Sequence, residues 1–278
     1  MSLKLMYITN NPNVAKIAEN AGVDRIFIDM EYIGKGARQG GMDTVQCHHT
    51  LDDIRSVRGA ISKAELLVRC NPIHEATEEY CSSKEEIDGI VASGADIIML
   101  PYFKTVQEVK TFVELVDGRV RTMLLFETPE SRENADEILD IDGIDEVFVG
   151  LNDMSLGYGM KFMFQLLADG TVEELCTKFK AKGLPYGFGG LASLTGGLLP
   201  GAKVIMEHYR LGSSCVILSR SFCNISLVTE LNKIEKTFTT GLGDIRAFEN
   251  ECAKLSVEQL RRNKQCVKNK ISMILKEI

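Results

Sequence analysis

Three side chains stand where short apolar runs stop. Glu127 follows the run Val120 to Phe126, Asp153 lies just past the run Gly143 to Val149, and Arg69 closes Glu65 to Arg69. Two carboxylates so placed could hold a hard divalent cation, Mg2+ or Mn2+, which prefers oxygen and leaves positions for water and substrate. Such a cation would polarise a carbonyl and stabilise an enolate. Arg69 carries a planar fork that matches a carboxylate or an enolate oxygen. The backbone N–H groups of Asn152 and Asp153, at the opening of a loop, could take the other end of that carboxylate. Taken singly, each residue reads more readily as a solvated loop charge or a helix cap. Their joint position at successive strand ends favours a site.

The elements that would hold them follow a repeated phrase: a helix-ending Gly, a polar step, then an apolar run. It occurs at Gly22 to Ile28, Gly94 to Leu100 and Gly143 to Val149, and more loosely at Gly212 to Leu218. Gly just past a helix takes the left-handed turn that reverses the chain. The run that follows suits a strand buried on both faces, as in a parallel sheet. Leu3 to Ile8, Glu65 to Arg69, Val120 to Phe126 and Leu184 to Phe188 bring the strand candidates to eight. Helix starts are signalled by Thr50 with Asp53, Ser83 with Glu86, Thr105 with Glu108, Thr171 with Glu174, and Thr128-Pro129. Val106, Val109, Phe112, Val113 and Val116 form an apolar stripe. Eight strands alternating with helices over about 220 residues is the arithmetic of an α/β fold, a (β/α)8 TIM barrel, with a doubly wound open sheet as the alternative. We therefore expect a barrel over residues 1–224 and a C-terminal helical extension over 225–278 that serves as an oligomer contact.

The composition agrees with an enzyme of this size. The 278 residues are 45% hydrophobic and 26% charged, and 39 acidic against 32 basic residues give a net charge of −7. That balance argues against nucleic acid as a partner. No apolar run is long enough to span a bilayer, and the N-terminus is too polar for a secretory signal, so a cytoplasmic protein is expected. The eight cysteines form no C-x-x-C pair and read as reduced thiols. No G-x-G-x-x-G or P-loop follows a strand.

Three segments resemble those of the HpcH/HpaI aldolase and citrate lyase superfamily, metal-dependent pyruvate aldolases on a (β/α)8 barrel. Ala21 to Glu31 is similar to its second-strand motif, Leu124 to Thr128 to its "IET" metal motif, and Gly143 to Ser155 to its "GVDxVFIGPADLS" block. The likeness spans roughly residues 3–224. It implies that Glu127 and Asp153 ligate the metal, that Arg69 and the amides of Asn152 and Asp153 bind the pyruvyl carboxylate, and that Glu31 sits near the metal-bound water. The implied reaction is reversible cleavage of a 4-hydroxy-2-oxo acid to pyruvate and an aldehyde. Homo-oligomers, often hexamers sharing C-terminal helices, are implied as well.

The chain departs from that pattern where the family usually has a His after the second-strand Glu; here it is Tyr32. Leu125 and Leu151 replace a Gln and a Pro. The long glycine-rich stretch from Met30 ends in His48-His49, either of which could relay a proton, and His49 is the stronger candidate because it abuts the Thr50 helix start. Tyr32 could donate a hydrogen bond but is a poor base near neutral pH, and a metal-bound hydroxide is a further option. Glu31-Tyr32-Ile33 with Lys35, Ala37 and Arg38 also resembles the citrate-lyase branch, which cleaves acyl-CoA substrates; Lys35 and Arg38 otherwise read as a solvated loop face. The alternatives to an aldolase are thus a citrate-lyase-like acyl-CoA lyase and a barrel that binds a 2-oxo acid without turning it over.

Overall fold

A computed structural model describes residues 2–36 and 47–278. Eight parallel strands close a barrel in sequence order: β1 (Lys4–Ile8), β2 (Arg25–Asp29), β3 (Glu65–Arg69), β4 (Ile97–Leu100), β5 (Arg121–Phe126), β6 (Glu146–Val149), β7 (Tyr186–Leu191) and β8 (Cys215–Leu218). This is the (β/α)8 architecture, and the open-sheet alternative is excluded by the β1–β8 pairing. All four phrase glycines, Gly22, Gly94, Gly143 and Gly212, have positive φ, between 77° and 105°, which residues with a Cβ rarely adopt.

Strand alternation divides the core. Met6, Phe27, Leu67, Ile97, Met99, Met123, Leu125, Phe148 and Cys215 pack together inside the ring, while residues of the other parity, such as Ile26, Ile28 and Val147, pack against the helices. At the N-terminal end, Arg25 donates to both oxygens of Glu146, at 2.7 and 2.6 Å, and to Glu65 at 2.7 Å. Since β2 and β6 lie four strands apart in an eight-strand ring, the Arg25–Glu146 pair crosses the barrel and floors it.

Most helix starts fall as expected. Thr50, Thr105 and Thr128 each cap a helix with a reciprocal capping box. Two differ. The box expected at Ser83–Glu86 sits one residue earlier, at Ser82–Glu85, because Ser83 and Glu86 bond instead to His74 and Asn71. Thr171 begins a helix rather than capping it, and Asp169 takes its amide. β7 also runs past its expected end at Phe188, through a bulge between Gly187 and Gly190, since glycines hide a strand from a reading based on apolar side chains.

The C-terminal helices pack on their own barrel. The first (Leu231–Cys252) buries Ile234, Phe238, Leu242 and Ile245. Its Arg246 donates to the Leu3 carbonyl and to Asp24, at 2.7 and 2.8 Å. The second (Val257–Glu277) ties Asn263 to Glu207 at 2.8 Å, while Val257, Met273 and Ile278 stay exposed. No helix among the described residues is long and apolar enough to cross a membrane.

Candidate active site

The same parity that fills the barrel brings its chemistry to one end. Phe27, Asp29 and Glu31 continue one inward series on β2, Leu67 and Arg69 on β3, Met123, Leu125 and Glu127 on β5, and Phe148 and Gly150 on β6. Each series ends at the C-terminal mouth, where a cavity of about 680 Å³ opens. Its wall includes Asp29, Lys35, Arg69, Glu127, Asn152 and Asp153.

Asp29 and Arg69 are direct neighbours in the β2–β3 register. Arg69 donates from Nε and Nη2 to the two oxygens of Asp29, at 2.8 and 2.7 Å, and Nη1 lies 3.2 Å from Glu31 Oε2. Much of the fork expected to meet substrate is therefore spent on holding the guanidinium in place. Lys35 donates to Asp29 Oδ2 at 3.0 Å and stands 3.3 Å from Glu31 Oε2. Burial opposes charge on Asp29, yet Arg69 and Lys35 hold its carboxyl well below the usual carboxylate range.

Glu127 is in the opposite condition. Burial, reinforced by the negative charges of Glu31 and Asp153, pushes its carboxyl well above the ordinary value. Its Oε1 accepts the Tyr102 amide at 3.0 Å, which Tyr102 can deliver because its backbone is left-handed, φ 49°, a strained conformation for a residue with a side chain. Gly150 leaves room for this carboxylate: a Cβ there would lie 2.7 Å from Glu127 Oε2. Asp153 is nearly buried in the first turn of the helix Leu151–Gly157, a turn that carries no side-chain cap.

Of the residues expected at the site, Arg69, Glu127, Asn152 and Asp153 line the cavity, and Glu31 lies fully buried behind Arg69 and Lys35. The other two are placed differently from that expectation. Tyr32 is not on the wall: its side chain is 40% exposed beside His48, and its amide is tied to Asn71. His49 lines the cavity, but its Nδ1 accepts the Asp29 backbone N–H at 3.0 Å. An amide only donates, so neutral His49 carries its proton on Nε2 and has no lone pair left to act as a base. Burial also lowers its affinity for a proton. Lys35, read from sequence as a solvated loop cation, is buried, while Ala37 and Arg38 lie outside the described residues.

The sequence reading also passed over Asp29, the Tyr102 amide and Gly150. For Asp29 a signal existed, because it shares strand parity with Phe27 and Glu31. Nothing local announces the left-handed turn at Tyr102.

A profile of the HpcH/HpaI aldolase/citrate lyase family matches residues 4–165, more than half of the chain. The protein belongs to that family. The matched stretch holds the three family-like segments together with Arg69, Glu127 and Asp153. Among solved structures, an HpcH/HpaI aldolase from Desulfitobacterium hafniense DCB-2 superposes with a TM-score of 0.60 at 18% identity, covering 85% of this chain and 92% of that one. An HpcH/HpaI aldolase/citrate lyase family protein from Burkholderia cenocepacia J2315 gives 0.62 at 14%, over 84% and 94%. The citrate synthase SbnG gives 0.59 at 15%, over 84% and 94%. At these identities the three structures share the fold. No curated protein matches the sequence.

Proposed function

We propose that this member of the family is a divalent-metal-dependent carbon–carbon lyase, an aldolase that cleaves or forms a 4-hydroxy-2-oxo acid with pyruvate as its enolate partner. The observation that carries the proposal is the charge at the mouth. Two carboxylates, Glu127 and Asp153, line the cavity together, and burial with the negative charges of Glu31 and Asp153 crowds Glu127. Lys35 and Arg69 are engaged with Asp29 and Glu31 on the other side of the mouth.

The donor set fits Mg2+ or Mn2+. No group of three or more His, Cys, Asp or Glu forms a ready-made cage among the described residues. Two carboxylates that leave the remaining positions to water and substrate are what a hard octahedral cation accepts. Bound by Glu127 and Asp153, the cation would supply Lewis-acid polarisation of the 2-oxo group. The chain's own residues do the rest. Asp29 holds the Arg69 guanidinium at the wall, and its remaining N–H groups can meet the carboxylate or the enolate oxygen. The uncapped first turn at Asn152 and Asp153 offers amide donors to the other carboxylate oxygen. Apolar Leu125, Phe148 and Leu151 wall the cavity and restrict water around the enolate.

The test is proton NMR of pyruvate in D2O with enzyme and Mg2+ or Mn2+. Methyl deuteration that requires both the metal and Glu127, lost in Glu127→Ala, is the expected result. Absence of exchange with metal still bound would overturn the pyruvate aldolase and leave the acyl-CoA lyase or the binding-only barrel.

A further inference from the structure

Aldol chemistry also needs a proton at the oxygen of the electrophile, and none of the residues assigned so far supplies it. We propose that Lys35 is the catalytic acid–base residue for that oxygen, an inference that rests on the lyase reading above. Its ammonium is buried on the cavity wall, where it donates to Asp29 and pairs with Glu31. An ammonium carries three N–H groups, of which Asp29 takes one.

The other groups near Asp29 fail on geometry. His49 cannot give up its Nε2 proton without becoming an imidazolate while Nδ1 holds the Asp29 amide. The Tyr32 ring stands outside the wall. The Cys47 thiol has one proton, already directed at Asp29. Arg69 does not release a proton near neutral pH. His48 is exposed at the rim against Tyr32, so it serves as the control.

In condensation, the enolate carbon's electron pair forms the new bond to the aldehyde carbon, and the carbonyl π pair moves onto oxygen. That oxygen takes a proton from Lys35 Nζ, leaving an amine between Asp29 and Glu31. In cleavage the amine takes the hydroxyl proton back, C=O re-forms, the carbon–carbon pair returns to the enolate, the enolate carbon takes a proton from water, and the hydroxide left behind takes the extra proton of the ammonium, restoring the amine.

Lys35→Arg separates this role from charge balance, since a guanidinium keeps the positive charge but does not exchange a proton. Wild type, Lys35→Arg and His48→Asn would be compared in pyruvate methyl exchange, in calorimetric affinity for oxalate with Mg2+, and in cleavage of 4-hydroxy-2-oxobutanoate. The expected result is that Lys35→Arg keeps exchange and oxalate affinity within about threefold while cleavage falls by about 10² to 10⁴. Cleavage near the wild-type rate in Lys35→Arg would overturn the proposal in favour of a charge-balancing role. Joint loss of exchange and oxalate binding would overturn it in favour of a structural one. Loss of cleavage in His48→Asn alone would move the role to His48. No methyl exchange in the wild type would instead overturn the lyase reading itself, and Lys35 with it.

Discussion

At the scale of single residues, the site depends on two buried carboxylates whose proton affinities are pushed in opposite directions. Asp29 is ionised because Arg69 and Lys35 grip it, whereas Glu127 is crowded by Glu31 and Asp153 and held by one amide. Gly150 is what lets Glu127 sit there, with space for no more than a hydrogen at 2.7 Å. Gly150→Ala should therefore fold, since its φ of −81° suits alanine, but should lose about 10²-fold in pyruvate methyl exchange through displacement of Glu127. Thermal unfolding and the NMR assay on one preparation check both halves. Asp29→Asn should cost about 3 to 5 kcal/mol in chemical denaturation by leaving the buried Arg69 and Lys35 with Glu31 alone to pair. The pH sign is fixed by the lowered folded pKa of Asp29. Its stabilisation is complete above the unfolded value of about 3.9 and is lost as pH falls toward the folded one. The variant should thus lose stability at neutral pH and show a shallower acid limb below about pH 4.

At the scale of elements, how much was legible follows from what signals each one. β2, β4, β6 and β8 announce themselves by a glycine turn before a short apolar run, and the structure keeps that turn left-handed each time. β7 was cut short because Gly187, Gly189 and Gly190 carry no apolar signal. Glu127 and Arg69 were readable because they end strands in a parity the sequence preserves, and Asp153 because it follows β6 in the first turn of the next helix. Lys35 was not: its partners Asp29 and Glu31 are only six and four residues away, but nothing in that spacing says that the turn after β2 folds the side chain back against the barrel mouth rather than out to solvent. A second buried group belongs to this scale. His208, on the helix Gly201–Leu211, stacks on Phe188 of β7 with ring centroids 3.8 Å apart, donates or accepts at Ser213, and is pushed down to about 3 by burial. Its folded pKa lies below the unfolded one, so only the unfolded chain gains the proton between about pH 6.5 and 3, and stability falls with pH across that window. The slope from this residue approaches about 1.4 kcal/mol per pH unit. Urea denaturation at pH 4 and pH 7 should show a smaller difference in His208→Gln than in the wild type.

At the scale of the whole molecule, the C-terminal helices do more than extend the barrel. Phe238 of the first one meets Tyr7 edge-on at 4.8 Å and Phe222 at 5.5 Å, and Tyr7 is part of the cavity wall, anchored by its hydroxyl to the Cys223 carbonyl at 3.0 Å. Phe238→Ala should lower stability by about 3 to 5 kcal/mol. It should also weaken oxalate binding measured by calorimetry, a second effect that a remote appendage would not produce.

The Arg25–Glu146 pair that floors the barrel has a kinetic consequence. A ring closed at one end by a buried ion pair opens, among the described residues, at its other end, where Glu127 and Asp153 are buried and the cavity residues His48 and Ser226 are exposed. Whatever is held at the inner position enters first and departs last. For a lyase of the kind proposed, the aldehyde leaves ahead of pyruvate. Steady-state inhibition of cleavage should then be competitive against substrate for pyruvate and mixed for the aldehyde, and the reverse pattern would require a second way out.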